Sequence, residues 1–303
     1  MKTELLQQCN VCNSTVLEVV DPDCNIVRCQ ACGYIFDNPR PTTEELITFY
    51  SRPTQYDSWL IELDVRDRLW KRRLSKLHPT KKPGSLLDIG TGIGQFLDVA
   101  RNSYTEVHGT EVSRTAVQIA KKRYQLCLFQ GTIENLAVQG GVFDNITLFH
   151  VLEHVPDPKS VLETCYRLLS PQGILVIAVP NEVASLRAFI RRILTTARLK
   201  KQQRLGKFGL PRISLGAHSD EVHLSHFTPK VLHRLLRARG FSVVDNTLDP
   251  YYVATGFARL KADVYYSLCL AFHRIFKVNL YDTMLVIARK TNTQSATQTA
   301  DGN

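Results

Sequence analysis

Two cysteine pairs open the chain, Cys9-x2-Cys12 and Cys29-x2-Cys32, with sixteen residues between them. Zinc takes four soft ligands in a tetrahedron, and each CxxC turn can present two thiolates on one side of the ion. Asn13 follows the first pair and Gly33 the second, and both residue types tolerate the left-handed backbone of such a turn. The spacing points to a zinc ribbon with a structural metal, because four thiolates leave no open coordination position. Four buried or redox-active thiols are the plainer alternative. Cys24 is a spare thiol whose spacing to Cys29 suits a ligand less well.

A second set of residues starts at Asp88, two positions before the turn Gly90-Thr91-Gly92-Ile93-Gly94. A short apolar strand running into glycines lets the backbone approach a ligand closely, and an acid beside them suits a cationic or hydroxyl-bearing group. Further on, Glu111 ends another apolar strand, where a carboxylate can accept both hydrogen bonds of a ribose diol. The glycines are spaced GxGxG. A dinucleotide site wants GxGxxG, with glycine where Gln95 stands, so that reading is the weaker one.

A third set is His150, Glu153 and His154, whose i, i+3, i+4 spacing shares one face if the turn is helical. A divalent ion, a histidine general base or simple packing all fit this triplet. His218, His223 and His226 follow, just ahead of Thr228-Pro229, which reads as a helix N-cap and first helical residue.

These groups need elements to hold them. Thr15–Val20 and Asn25–Arg28 read as short β pieces around Asp21-Pro22-Asp23, and Thr43–Tyr50 and Ser58–Leu77 as helices. Then come strand Ser85–Ile89, helix Gln95–Ala100, strand Val107–Glu111, strand Phe143–Phe149, helix Pro158–Leu169, strand Ile174–Val179 and a last strand, Thr283–Ala288. Strands alternating with helices indicate an open α/β sheet with its ligand at the switch point. The expected divisions are 1–42, a helical connector 43–82, a main domain 83–290 and a disordered polar tail 291–303.

The 303 residues carry 38 Lys+Arg against 28 Asp+Glu, but nine of the basic residues fall between Val183 and Ser219, where there is no acid. Outside that segment 29 basic face 28 acidic residues, which excludes a uniformly basic, histone-like surface. No stretch has the ~20 apolar residues of a membrane span, and the N-terminus lacks a secretory core, so the expected location is cytoplasmic. Within 183–219, Leu186, Phe189, Ile190, Ile193, Leu194 and Ala197 recur at helical spacing with arginines on another face. This cationic amphipathic helix is expected to be a solvated lid, or to meet a lipid-linked acceptor or the inner face of an anionic membrane. The apolar insert 251–276 is expected to add a greasy wall to the acceptor pocket.

The runs LLDIGTGIGQFL, FDNITLFHVLEHVPDP and LLSPQGILVIAVPN, with Glu111 between the first two, resemble class I S-adenosylmethionine-dependent methyltransferases. The similarity is to the branch of ubiquinone-biosynthesis O-methyltransferases, covers about 86–181 and resumes over 218–244. The N-terminal CNVC…CQACGYIFDNPRPTTEEL is similar to the zinc-binding segment of bacterial members and of certain sugar C-methyltransferases. The resemblance implies a Rossmann-like seven-stranded α/β sheet with helices on both faces, preceded by the ribbon, and S-adenosylmethionine as cofactor. It places Asp88, Gly90, Thr91 and Gly92 at the methionine half, Glu111 at the ribose, and Ile133 and Glu134 beside the adenine. Phe149 and His150 would lie beneath the sulfonium, with His150, His154 and His226 as candidate catalytic groups. In the related O-methyltransferases, acids near the triplet are associated with a divalent ion. Here His150 replaces the first of them.

No Asn/Asp-Pro-Pro-aromatic tetrad follows the fourth strand, which disfavours methylation of planar base nitrogens. The expected acceptor is a small molecule, a saccharide or a lipid-linked compound, methylated on oxygen or carbon. Nucleic acid is not expected as a partner, although an RNA methyltransferase using ribbon and basic segment is an alternative, as is a cofactor-binding protein without turnover. Nothing in the sequence fixes the oligomeric state.

Overall fold

A computed structural model describes residues 1–77, 84–138, 140–196, 206, 209–215, 221–250 and 254–291, with backbone alone at 195 and 196. His218, five of the nine basic residues of 183–219, and 292–303 of the expected tail lie outside the described residues.

The chain begins with β1 (Thr3–Glu4), followed by an antiparallel ribbon of β2 (Leu17–Asp21), β3 (Ile26–Cys29) and β4 (Ile35–Asp37). The short β5 (Arg40–Pro41) pairs back onto β1. Both cysteine turns close alike: the Asn13 amide donates to the Cys9 carbonyl and the Gly33 amide to the Cys29 carbonyl, each at 2.8 Å. Asn13 and Gly33 take φ of 61° and 78°, the left-handed conformation their types permit.

Helices α1 (Thr43–Tyr50), α2 (Asp57–Ile61) and α3 (Leu63–Leu77) come next. The expected single helix from Ser58 is broken at Glu62. On α3 the buried residues are Arg66, Leu69, Trp70, Arg73 and Leu77, a helical stripe in which two of the five are arginines. A stripe of that kind faces something polar.

The main unit runs β6 (Ser85–Ile89), α4 (Gln95–Ala100), β7 (Glu106–Glu111), α5 (Arg114–Tyr124), β8 (Phe129–Gln130), α6 (Ile133–Ala137), β9 (Phe143–Phe149) and α7 (Pro158–Leu168). It continues with β10 (Leu169–Pro180), α8 (Leu186–Thr196), β11 (Ser225–His226), α9 (Pro229–Ala238), β12 (Phe241–Thr247), α10 (Gly256–Phe276) and β13 (Thr283–Lys290). Seven strands form one sheet in the order β12-β13-β10-β9-β6-β7-β8. β13 is antiparallel to both neighbours, while β10, β9, β6, β7 and β8 run parallel. Successive residues of β10, from Leu175 to Val179, are buried because helices cover both faces. Residues 170–173, between the expected helix and strand, fall within β10 at a register shift.

Strand order reverses between β6 and β9, so the crevice at their carboxyl ends is the switch point where such sheets bind ligands. The ribbon is built into the same body. β11 pairs antiparallel with β4 as its fourth strand, the Tyr34 hydroxyl bonds to that of Ser225, and the Tyr34 ring lies 5.7 Å from that of Phe227.

Candidate active site

A cavity of about 390 Å³ opens at the ends of β6, β7 and β9, walled on the other side by α1 to α3. Gly90 and Gly92 line it at φ of 62° and 56°. A Cβ at Gly90 would stand 2.6 Å from Val151, and one at Gly92 would stand 2.8 Å from the Trp59 ring, so neither position has room for a side chain. Glu111 also lines it, its two carboxylate oxygens accepting from the Gly92 and Ser113 amides at 2.8 Å each. Burial pushes its pKa up. Ile133 and Glu134 complete this end, with the Ser160 hydroxyl donating to Glu134 at 3.1 Å.

Two residues expected at the cofactor stand behind it instead. Asp88 is buried beneath the glycine turn, accepts from the Thr147 hydroxyl at 2.5 Å, and is pushed by burial up to about 7. Thr91 donates its amide to the Thr110 carbonyl at 3.1 Å and turns its methyl toward Gly109. Neither is on the cavity wall; both shape the turn that is.

At the other end Phe149 packs edge-on against Phe96, with Trp70 beside it and the Arg73 guanidinium 4.7 Å from its ring centre. His150 follows with φ of 58°, which no helix allows, so the triplet lies in a tight turn and not on the helical face its spacing implied. The three side chains still converge. His150 Nδ1 is 3.2 Å from Glu153 and its Nε2 is 3.5 Å from Asp249. Asp249 is fully buried and forms a two-pronged ion pair with Arg73. Burial opposes charge on His150, but Asp249 and Glu153 outweigh it and raise its pKa. For Glu153, burial acts to raise the pKa and the His150 contact overcomes it, giving a net lowering.

His154 differs. Its Nδ1 lies 2.7 Å from the Val222 carbonyl oxygen and 2.9 Å from the Tyr50 hydroxyl. A carbonyl only accepts, so Nδ1 carries the proton and Nε2 holds a lone pair in the neutral ring. Burial lowers the pKa of His154, and Glu153 offsets that only in part.

His226 does not reach the cavity. It is buried between Glu182 at 2.8 Å and Asp37 of the ribbon at 3.0 Å, and although burial disfavours its charge these two acids push it up to about 9. The expectation of a place at the acceptor pocket is therefore corrected: His226 is an imidazolium that ties ribbon to core. His223 replaces it near the site, its ring 4.9 Å from that of His154. Ligand atoms of Glu153, His154 and His223 all lie within 4.8 Å of one another.

The described residues of 251–276 do not form the expected wall. Among the described residues of 183–219 and 251–276, none lines the cavity. α10 joins β12 to β13 at the far edge of the sheet, away from the switch point.

Several cavity residues carried no sequence signal. Arg66 is buried, stacks its guanidinium 4.1 Å from the centre of the Trp59 ring, lies 3.8 Å from Glu62, and has no hydrogen-bond partner at Nε among the described residues. Arg73 and Asp249 are 176 residues apart in the chain. The buried Arg and Trp on the α3 stripe were the available hint.

In the ribbon, Cys9 Sγ is 3.7 Å from Cys32 Sγ and Cys12 Sγ is 3.5 Å from Cys29 Sγ, all four within 4.8 Å of one another. Zinc–sulfur bonds of about 2.3 Å give tetrahedral edges of about 3.8 Å, so the four thiols fit such an ion. Cys24 is buried on the opposite side, against Ile26, Ile35 and Leu210.

Sheet order, glycine turn, acid-ended second strand and cavity together define the class I methyltransferase fold, with S-adenosylmethionine as its cofactor. Residues 63–246 match the family described as Methyltransferase domain, and the chain belongs to that family. It is 27% identical to a ubiquinone biosynthesis O-methyltransferase of Thiobacillus denitrificans, over 62% of this chain and 78% of that one. It is 33% identical to the Alkalilimnicola ehrlichii protein of the same name over 102 residues, 32% of this chain and 41% of the relative. The chain spans less than half the length of several such relatives. Among solved structures, a S-adenosylmethionine-dependent methyltransferase of Listeria monocytogenes superposes with a TM-score of 0.53 at 16% identity, covering 76% of this chain and all of that one. Magnesium protoporphyrin IX methyltransferase of Synechocystis, solved with S-adenosylhomocysteine, gives 0.53 at 12%, covering 82% and 100%. At these identities the likeness is one of fold.

Proposed function

We propose that the chain transfers a methyl group from S-adenosylmethionine to a hydroxyl of a small-molecule, saccharide or lipid-linked acceptor, with His154 as general base. The observation that carries this is the His154 tautomer. Its Nδ1 proton is committed to the Val222 carbonyl, burial keeps the ring neutral, and Nε2 is left to take a proton. His150 is held between Asp249 and Glu153, whose contacts favour its charged form and raise its pKa, so it is less suited to that task.

When bound, S-adenosylmethionine supplies an electrophilic methyl on a sulfonium. Gly90 and Gly92 admit its methionine portion, Glu111 receives the ribose hydroxyls, and Ile133 and Glu134 flank the adenine. Arg66 would pair with the methionine carboxylate, which would supply the hydrogen bond that its Nε lacks among the described residues. Alignment of acceptor oxygen, methyl carbon and sulfur provides much of the acceleration. As the O–C bond forms and the S–C bond breaks, the acceptor proton passes to His154 Nε2. The four cysteine thiolates hold a structural zinc.

A second reading rests on the Glu153, His154 and His223 geometry: a divalent ion there acidifies the acceptor hydroxyl. Transfer of labelled methyl into extract fractions, then into the isolated acceptor, tests both. With His154 as base, His154→Ala lowers kcat by about 10²- to 10⁴-fold, and the wild-type rate rises with pH with its midpoint below the ~6.5 of a free imidazole. Chelator-sensitive activity restored by a divalent ion favours the second reading. Near-normal turnover of His154→Ala with no metal dependence removes both.

A further inference from the structure

Helices α8 and α10 are built the wrong way round for surface helices. An ordinary one turns its apolar stripe to the core and its polar face to water. On α10 the buried residues are Tyr266, Cys269 and His273, and His273 Nε2 bonds to the Asn246 carbonyl at 2.8 Å. At 100° per residue, Phe257, Leu260, Val264, Leu268 and Ile275 fall within about 40° of a single line on the opposite side. They are all exposed, Phe257 by 70%, Leu268 by 67% and Ile275 by 71%. α8 repeats the inversion: Leu186, Phe189, Ile190 and Ile193 are exposed, while Ala188 on the other side is buried. The helices adjoin, since the Arg187 guanidinium sits 4.1 Å from the Tyr265 ring centre and the Leu186 amide donates to the Leu280 carbonyl.

Among the described residues, the unpaired charge beside these stripes is positive. Lys261 and Arg274 flank the α10 line and are exposed, as is Lys277 at its end. The two neighbouring acids are occupied, Asp263 by Arg259 at 3.4 Å and Asp282 by Arg187 at 2.8 Å. No described helix is long and apolar enough to cross a membrane. An exposed apolar line edged by long cationic side chains matches the headgroup region of an anionic bilayer, where the stripe enters the acyl boundary and the cations reach lipid phosphates. A second copy of the chain fits less well, because pairing the α10 stripes would bring Lys261 and Arg274 toward their own kind.

We propose that α8 and α10 form a docking face for an anionic lipid surface. The proposal is independent of the methyl-transfer reading, since no described residue of these helices lines the cavity.

Sedimentation of the full chain with vesicles tests it. Binding is expected to phosphatidylcholine vesicles containing about one-third phosphatidylglycerol, weakening as salt is raised, and to be far weaker without the anionic lipid. The variants Val264→Glu/Leu268→Glu and Phe189→Glu/Ile193→Glu should each weaken binding by about tenfold or more. Their circular dichroism and S-adenosylhomocysteine binding should stay as in the parent, which separates loss of docking from loss of fold. No binding to anionic vesicles, or binding unchanged in both variants, overturns the proposal. So does a dimer, seen by light scattering, that the α10 variant dissolves.

Discussion

Arg66 shows how much of the site rests on one uncharted side chain. A buried guanidinium with a free donor costs about 1–3 kcal/mol until it is partnered, and Trp59, on which it stacks, also covers the Gly92 turn. If the cofactor carboxylate is that partner, Arg66→Met weakens S-adenosylhomocysteine binding by about 10- to 100-fold, measured by calorimetry. Binding of 5′-methylthioadenosine, which has no carboxylate, should then barely change. Equal losses for both ligands would reduce Arg66 to a packing role. Residues whose placement depends on local spacing were legible in the sequence: the four cysteines that cluster, and Gly90, Gly92 and Glu111 at the cavity. Those whose role depends on a distant partner were not. Asp88 reads as a ligand because it precedes the glycines, yet a buried carboxyl beside Thr147 serves the turn. His226 reads as a pocket residue because nothing local announces that Asp37 and Glu182 will close on it.

At the level of elements, α3 and the segment after β12 meet through Arg73 and Asp249. Both side chains are fully buried, so removing one strands the other. Asp249→Ala should cost about 3–5 kcal/mol in urea unfolding, whereas the double change Arg73→Met/Asp249→Leu should cost distinctly less. Asp249 also holds His150 Nε2, so the single variant loosens the turn after β9 as well. Strand and helix limits along β6, α4, β9 and β13 followed from apolar runs and glycine turns. The 150–154 turn did not, because i, i+4 spacing cannot reveal a left-handed residue at its start. The apolar insert 251–276 was expected at the pocket for a related reason: periodicity locates an apolar face but not the direction it points.

For the whole molecule, the ribbon is built into the main unit through β11 and is not an appendage. Its β4 is paired with β11, and β11 leads directly into α9. Cys29→Ser should therefore lower zinc content, measured by atomic absorption, and also reduce the melting temperature of the main unit, read from its far-ultraviolet dichroism. If zinc is lost while the melting temperature and S-adenosylhomocysteine affinity hold, the ribbon is mechanically separate. The open α/β sheet was readable from five of its strands alternating with helices, while its seven-stranded form came with the family resemblance, since β8 and β12 carried no signal that was read. The pairing of β4 with β11 was not, since two-residue strands leave no pattern to detect.

That pairing sets an order of events during synthesis. Ser225, which bonds to Tyr34, follows it by 191 residues. At ribosomal speeds of about 5–20 residues per second, the ribbon waits roughly ten to forty seconds for its last strand. Until then Tyr34 and Phe36, fully buried in the finished protein, lack the cover that β11 and Phe227 later supply. Early capture of a metal ion by the four cysteines would hold the nascent segment in shape through that interval, while the rest of its own chain is still being made.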